Sequence, residues 1–423
     1  MSSSSSLSTG GVKSILLFGA TGYVGGNVLH HLLTQHAEKA PHIVLLVSSQ
    51  SAAEKVAKWA RAVNSQLDVQ ILQPVPEQES SDEAIKRIRP NGLDIVPIPR
   101  TPEQAWYAAA EQYASVTDCC VQVATSDDGS FTSAIQRGLA KAHSSGKRRG
   151  CIVHASGTQL IESAPVGKFV ETPIYDDTDL DQLKSIPDEA AHRLIDLEII
   201  NDIAAGKIGG GAIVCPSLIW GIAHGPVRRI SQQVPGMVEK ALSPLNNQAV
   251  YCGEGTNVWN GVHVDELADL IVRLITRWTY EPLPQSPPEA HSTFYFAAAK
   301  PLFSFKDVAT AIGTVLSSTK NPATSKPLVP TAEPKSVTVP KFDASQKGVR
   351  VEDGDRAAAA DEDEKRAPVW PCRTTSRCVS ERAKSEFGWV AKREFDREAM
   401  LDEIKSYVKI WIEDGVLEEK LKA

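Results

Sequence analysis

Between residues 15 and 25 the chain reads Ile15-Leu16-Leu17-Phe18-Gly19-Ala20-Thr21-Gly22-Tyr23-Val24-Gly25, an apolar run passing through three glycines into a helix-like segment. Glycines at this spacing free backbone amides to point at a diphosphate, and a helix starting at once behind them adds the positive end of its dipole. Gly19 would allow the tight turn, Gly22 the close approach of the ligand, and Gly25 the packing of helix on strand. Thr21, Tyr23 and Val24 complete the turn. Two other patterns could do chemistry. His192 and Asp196 stand four apart in Ala190-Ala191-His192-Arg193-Leu194-Ile195-Asp196, so on a helix the carboxylate would raise the imidazole pKa and favour a transferable proton. A structural i,i+4 pair is the competing reading. Arg228 and Arg229 suit a phosphate or carboxylate of a substrate, or simply a solvated face. Metal-ligand spacing, a nucleophile elbow and a phosphate-binding lysine of the NTPase type are all missing.

These residues need a scaffold, and the first half of the chain provides an alternation that suits one. Apolar runs predict strands over 14–18, 43–47, 93–98, 119–124, 151–155 and 212–215, with helices over 24–34, 52–62, 102–113, 131–143 and 188–205. Runs such as Ile43-Val44-Leu45-Leu46-Val47 predict strands buried on both faces. The fold class expected is α/β, a doubly wound parallel sheet (Rossmann) with a smaller, discontinuous C-terminal substrate lobe. Residues 13–215 form the dinucleotide-binding domain, to which 265–298 return with a helix capped by Asp265 and a strand over 293–298. Residues 216–260 and 372–423 form the lobe, the latter through a helix over 396–412. Residues 1–12 read as a disordered tail, 64–90 as an insertion between strands, and 318–371 as a disordered insertion rich in proline and charge.

The 423 residues carry a net charge of -7 and no basic stripe, which argues against a nucleic-acid partner. No apolar run reaches the ~18 residues of a membrane span. The serine-rich start lacks the apolar core of a secretory signal, so the expectation is a soluble cytoplasmic protein. A homodimer is compatible with this reading. The seven cysteines include Cys119, Cys151 and Cys215 in strand-like runs, and read as reduced core residues.

The glycine turn resembles that of extended and atypical short-chain dehydrogenases, the family that includes NAD-dependent epimerases and dehydratases and NmrA-like sensors. Three more segments are similar in the same order: Val121-Gln122-Val123-Ala124-Thr125, Cys215-Pro216-Ser217-Leu218-Ile219-Trp220-Gly221, and Val262-His263-Val264-Asp265-Glu266-Leu267-Ala268. The resemblance implies that Ala124 and Thr125 border the adenine ribose and that Pro216, Ser217 and Leu218 border the nicotinamide. For the cofactor, the second strand ends in Val47-Ser48-Ser49-Gln50, with neither the acidic residue of NAD binding nor the arginine of NADP binding. Both NADP and NAD stay open, with a slight lean to NADP, Ser48 and Ser49 as contacts and Lys55 within reach.

The resemblance also implies a serine or threonine after the fifth strand to orient a substrate carbonyl, and a Tyr and Lys four residues apart to pass the proton. Ser156 matches the first position. None of the eight tyrosines has Lys four residues downstream; His192 and Asp196 occupy the matching spacing. Two functions follow. One is an NAD(P)-dependent oxidoreductase or epimerase-like enzyme acting on a small carbonyl or hydroxyl substrate, with Ser156, His192 and Asp196 as catalytic residues. The other is a non-catalytic NAD(P)-binding regulator or sensor. Tyr175, from a loop, is a further candidate for the site.

Overall fold

The computed structural model describes residues 14–35, 41–74, 89, 92–339, 366–368 and 370–421. Its centre is a sheet of eight strands: β1 Ser14–Phe18, β2 His42–Val47, β3 Asp68–Ile71, β4 Gly92–Pro97, β5 Cys119–Gln122, β6 Cys151–Ala155, β7 Gly210–Pro216 and β8 Phe294–Ala297. They lie in the order β8-β7-β6-β5-β1-β2-β4-β3, and every pairing is parallel. The alternation of side chains along β1 shows why the sequence yields this fold. Ile15 and Leu17 join one core with the helices Tyr23–Gln35, Gln50–Val63 and Val264–Tyr280. Leu16 and Phe18 join the opposite core with Glu103–Ala114, Gly129–Ser144 and Arg193–Ala204. A strand apolar on both faces is stable only when both are covered, which fixes the doubly wound arrangement.

The order reverses beside β1: the chain winds outward through β2 and β4, then crosses back to β5 on the other side of β1. The crevice outside the carboxyl ends of β1 and β5 is therefore the place where such a sheet takes a ligand. Phe131 pins one helix behind it, 2% exposed, edge-on to Phe18 at 5.0 Å and stacked with Trp106 at 5.9 Å. Phe131→Ala is expected to cost about 3–5 kcal/mol of folding stability, measured by urea unfolding.

The smaller lobe has its own apolar core, built around Trp220, Met237, Trp259, Phe303, Phe305, Ile312, Tyr407 and Trp411. It contains the strands Leu218–Trp220, Val258–His263 and Ala299–Ser304 in one sheet and the helices Gln233–Leu242, Phe305–Ser318 and Arg397–Glu413. Several sequence expectations change here. Residues 319–339 are folded, not disordered: Leu328 and Val329 are buried, and Lys335–Val337 pairs with Val250–Cys252. Among the prolines and lysines of this stretch these two apolar anchors are buried, and backbone bonds from Leu328 N to Leu316 O and from Lys335 N to Ala249 O tie it to the lobe. Residues 340–365 and the tail 1–12 lie outside the described residues. Within the expected insertion at 64–90, residues 68–71 add β3 to the sheet edge. Asp265 is not the cap of its helix. His263 caps it, accepting from the Asp265 amide at 3.2 Å, and frees the Asp265 carboxylate for Asn27 and Arg393 at 3.0 Å each. All seven cysteines are buried thiols without disulfides.

Candidate active site

A cleft of about 740 Å³ opens along the carboxyl edge of the sheet, within the roughly 300–1,000 Å³ typical of small-molecule sites. One end is the glycine turn. Gly19 has φ +89°, and a Cβ there would stand 2.9 Å from the Val123 carbonyl oxygen at the end of β5. At Gly25 a Cβ would come within 2.3 Å of the Gly19 oxygen, so the helix can start this close to β1 only without a side chain. The turn is closed by the Gly22 amide donating to Gly19 O at 2.7 Å. Gly19, Thr21, Gly22, Tyr23 and Val24 all line the cleft, as do Ala124 and Thr125. Gly25 does not, as its packing role requires.

The second expected wall is present in part. Pro216 and Ser217 line the cleft, whereas Leu218, 1% exposed, turns into the core of the smaller lobe. On a strand, successive side chains point opposite ways, so these neighbours separate. Ser48 and Ser49 are exposed outside the lining, and Ser49 caps the Gln50–Val63 helix by accepting from Ala52 N at 3.2 Å. Lys55 lies farther along that helix, also outside. The two arginines part company. Arg228 lines the cleft, its backbone amide bonded to Thr21 O at 3.2 Å, which holds this segment over the glycine turn; Arg229 reaches back to Ala223 O at 3.4 Å. Tyr175 pairs in a short strand with Cys378 and lies off the cleft.

At the other end stand Ser156 and His192, in partnerships different from those the spacing suggests. The helix begins at Arg193, and His192 is its N-cap residue with φ +67°, the left-handed region. Its side chain therefore leaves the helix axis and meets Asp127, Nδ1 to Oδ1 at 2.6 Å, instead of running down a helical face to Asp196. An ionised carboxylate only accepts, so Nδ1 carries the hydrogen and Nε2 is left to exchange a proton. An added Cβ at Gly157 would lie 3.4 Å from Nε2, which places this nitrogen beside the cleft-lining Gly157. Burial works against the charged imidazole, but the hydrogen bond and charge of Asp127, with Asp196 and Glu162 beyond, outweigh it and raise the pKa. A non-glycine residue held at positive φ costs of order 1–3 kcal/mol and concentrates at functional sites.

Asp196 serves Ser156. It is fully buried, and Ser156 Oγ donates to its Oδ2 at 2.7 Å, while His154 Nε2 lies 3.8 Å from Oδ1. Burial pushes the Asp196 carboxyl up to about 7, against the Ser156 hydrogen bond and the charges of His192 and Arg193. The pair has two states. With Asp196 ionised, the only proton of Ser156 is committed to it and the cleft sees an acceptor. With Asp196 protonated, its O–H can donate to Ser156, whose own hydrogen is free to point into the cleft.

A carboxyl whose folded pKa lies above its unfolded value of ~3.9 binds more protons folded than unfolded between those two values. Its contribution is complete below pH ~4 and is lost as pH rises to about 7. Asp196→Asn removes this loss, so the stability difference, variant minus parent, should rise across that window and level off above it. Urea unfolding at several pH values checks this. Taking the difference cancels the opposite-signed contribution of His263, which is held in the neutral form with its pKa lowered to about 4 and does not touch Asp196.

Residues that sequence reasoning passed over add to the lining, among them Arg100, Asp127, Gln159, Ser231 and Trp259. Asp127 was findable, since it follows the end of β5 where such sheets place their functional groups. The others come from distant segments. Trp259 Nε1 donates to Thr374 O at 3.0 Å, and Ser376 Oγ to Thr158 O at 2.9 Å, so a buried C-terminal run backs the cleft. Ser231 Oγ is 2.9 Å from the Tyr407 hydroxyl, which donates to Glu403; Glu403 in turn accepts from the Gly221 amide at 2.7 Å. With the Tyr407 proton given to Glu403, Ser231 must donate to Tyr407 and turns acceptor lone pairs to the cleft.

No protein-family model matches the chain. The oxidase ucsJ of an Acremonium species is 25% identical over 276 residues, which span 63% of this chain and 67% of that protein. Among solved structures, a dTDP-glucose 4,6-dehydratase from Bacillus anthracis in complex with NAD matches with a TM-score of 0.52 at 14% identity, over 94% of this chain and 97% of its own. A UDP-glucuronic acid 4-epimerase from Bacillus cereus, in complex with UDP-glucuronic acid and NAD, matches with a TM-score of 0.51 at 10% identity, over 93% and 99%. The chain has the fold of these epimerases and dehydratases.

Proposed function

We propose that this chain, folded like NAD-dependent epimerases and dehydratases, is an NAD(P)-dependent oxidoreductase or epimerase-like enzyme acting on a small carbonyl or hydroxyl compound. One observation carries the reading: a single cleft joins a glycine turn, where a side chain would strike backbone, to two proton-holding pairs, His192–Asp127 and Ser156–Asp196. Gly19, Thr21, Gly22, Tyr23 and Val24 fit a diphosphate, with Ala124 and Thr125 toward the adenosine and Pro216 and Ser217 toward the nicotinamide. A bound nicotinamide dinucleotide would supply hydride exchange with the substrate carbon. The chain supplies the rest. Ser156 holds the substrate oxygen, donating to a carbonyl when Asp196 is protonated and accepting from an alcohol when it is ionised. His192 Nε2 is the acid for that oxygen, and Asp127 holds the ring in the tautomer that leaves Nε2 facing outward. Arg228, above the glycine turn, would meet an anionic group of the substrate.

Within the described residues no helix is long and apolar enough to cross a membrane, and the cleft is sized for a small molecule. The test begins with fluorescence titration of the purified protein with NADPH and NADH, followed by a panel of aldehydes, ketones and sugar nucleotides. Binding with turnover supports the enzyme. Binding without turnover of any of them would favour the regulator instead, and absence of binding would remove both.

A further inference from the structure

Sequence alone shows no cation at the end of β2, yet the sheet delivers one from the neighbouring strand. β2 and β4 are adjacent and parallel, with Val47 opposite Pro97, and Ile98 N donates to Val47 O at 2.8 Å. Ser48 and the segment Pro99-Arg100 therefore leave the carboxyl edge side by side, about one strand spacing apart. Arg100 lines the cleft. Its guanidinium carbon sits 5.2 Å from the centre of the Trp106 ring, and that ring is 6% exposed and packed on Phe131. The aromatic face fixes where the charge stands, and among the described residues no carboxylate pairs with it.

The surroundings select for negative charge. The run Val47-Ser48-Ser49-Gln50 has no acidic side chain to bond a ribose diol or repel a phosphate. The Gln50–Val63 helix also starts at the carboxyl edge, on the face of the sheet opposite Trp106, and has no acidic residue in its first turn. A planar guanidinium is the donor suited to a phosphate monoester, which it can bond through two nitrogens.

We infer that Arg100 recognises the adenosine 2′-phosphate of NADP and sets the cofactor preference of the cleft. This rests on the reading of the cleft as a nicotinamide dinucleotide site. It extends that reading by assigning a residue no sequence motif marks, and by committing to NADP over NAD. The alternative role for Arg100 is to shield Trp106 from water.

The experiment compares the parent with Arg100→Met, whose unbranched stem still covers Trp106 but carries no charge. NADPH and NADH are titrated by nicotinamide fluorescence, with adenosine 2′,5′-bisphosphate and 5′-AMP, which differ only in the 2′-phosphate, as calorimetric probes that lack the nicotinamide. The parent is expected to favour the 2′-phosphorylated member of each pair by about 10- to 100-fold, the range of one charge-assisted contact. This preference should shrink as salt is raised. Arg100→Met should bring both ratios near one by weakening only the 2′-phosphorylated ligands. Equal or tighter parent binding of NADH overturns the inference, as does a variant that keeps the preference. So does a variant that loses all four ligands alike, which would assign Arg100 to packing. If the parent binds neither dinucleotide, the reading of the cleft itself fails, a result distinguishable from each of these.

Discussion

Gly22→Asp is expected to weaken binding of NADPH and NADH by on the order of 100-fold or more, equivalent to about 3 kcal/mol. A Cβ at this position would stand 3.0 Å from Gly19 O, a tight contact that a small shift can relieve, so the variant should still fold. The carboxylate would nevertheless sit where the ligand diphosphate must approach the turn, and like charges brought together at an interface cost several kcal/mol. Gly22→Ala separates the two effects, since it adds the methyl group without the charge and should weaken binding much less. Circular dichroism confirms the fold and nicotinamide fluorescence reads the affinity. An unchanged dissociation constant for Gly22→Asp would mean that the turn does not hold the diphosphate.

The second large effect lies at the opposite end of the cleft. His192→Ala should lower kcat for the carbonyl substrate identified in the panel by on the order of 10²–10⁴, the usual contribution of a positioned acid. The partner variant is more diagnostic. Asp127→Asn keeps a hydrogen-bond acceptor for Nδ1 but removes the charge that raises the imidazole pKa against its burial. Reduction requires the protonated ring, so its rate should fall as pH rises through the His192 pKa. In Asp127→Asn that alkaline limb should move to lower pH, with little loss of rate on the acid side. A purely structural His192 would give only a few-fold change in rate when it is replaced by Ala.

The contrast between these two ends shows where sequence reasoning works. The glycine turn was legible because its requirements are local: an apolar strand, three glycines and a helix in one continuous run. The same holds for the strands of the sheet, whose apolar character on both faces already implies helices on both sides. The partners of His192 were not legible. Spacing paired it with Asp196, but the helix begins one residue later than that pairing needs, and a left-handed backbone at His192 swings the ring toward Asp127, 65 positions away. Asp196 is then claimed by Ser156, which follows the end of β6. The folded stretch 319–339 was missed for a related reason, because its two buried anchors, Leu328 and Val329, stand among prolines and lysines that dominate any compositional average.

By itself, then, the order of residues determined the doubly wound sheet, the turn at its first strand and the mildly acidic character of the chain, since each depends on neighbours within a few positions or on composition. Only the tertiary structure decided which acid faces which base, that Arg100 from beyond β4 rather than a residue of β2 lines the cleft, and that Trp259 and Ser231 line its wall. Those choices depend on where the carboxyl ends of separate strands converge. Parallel strands joined by crossovers bring residues from positions 19 to 217 to one edge of the sheet, and the smaller lobe adds Arg228, Ser231 and Trp259; no local pattern records which side chains will meet there.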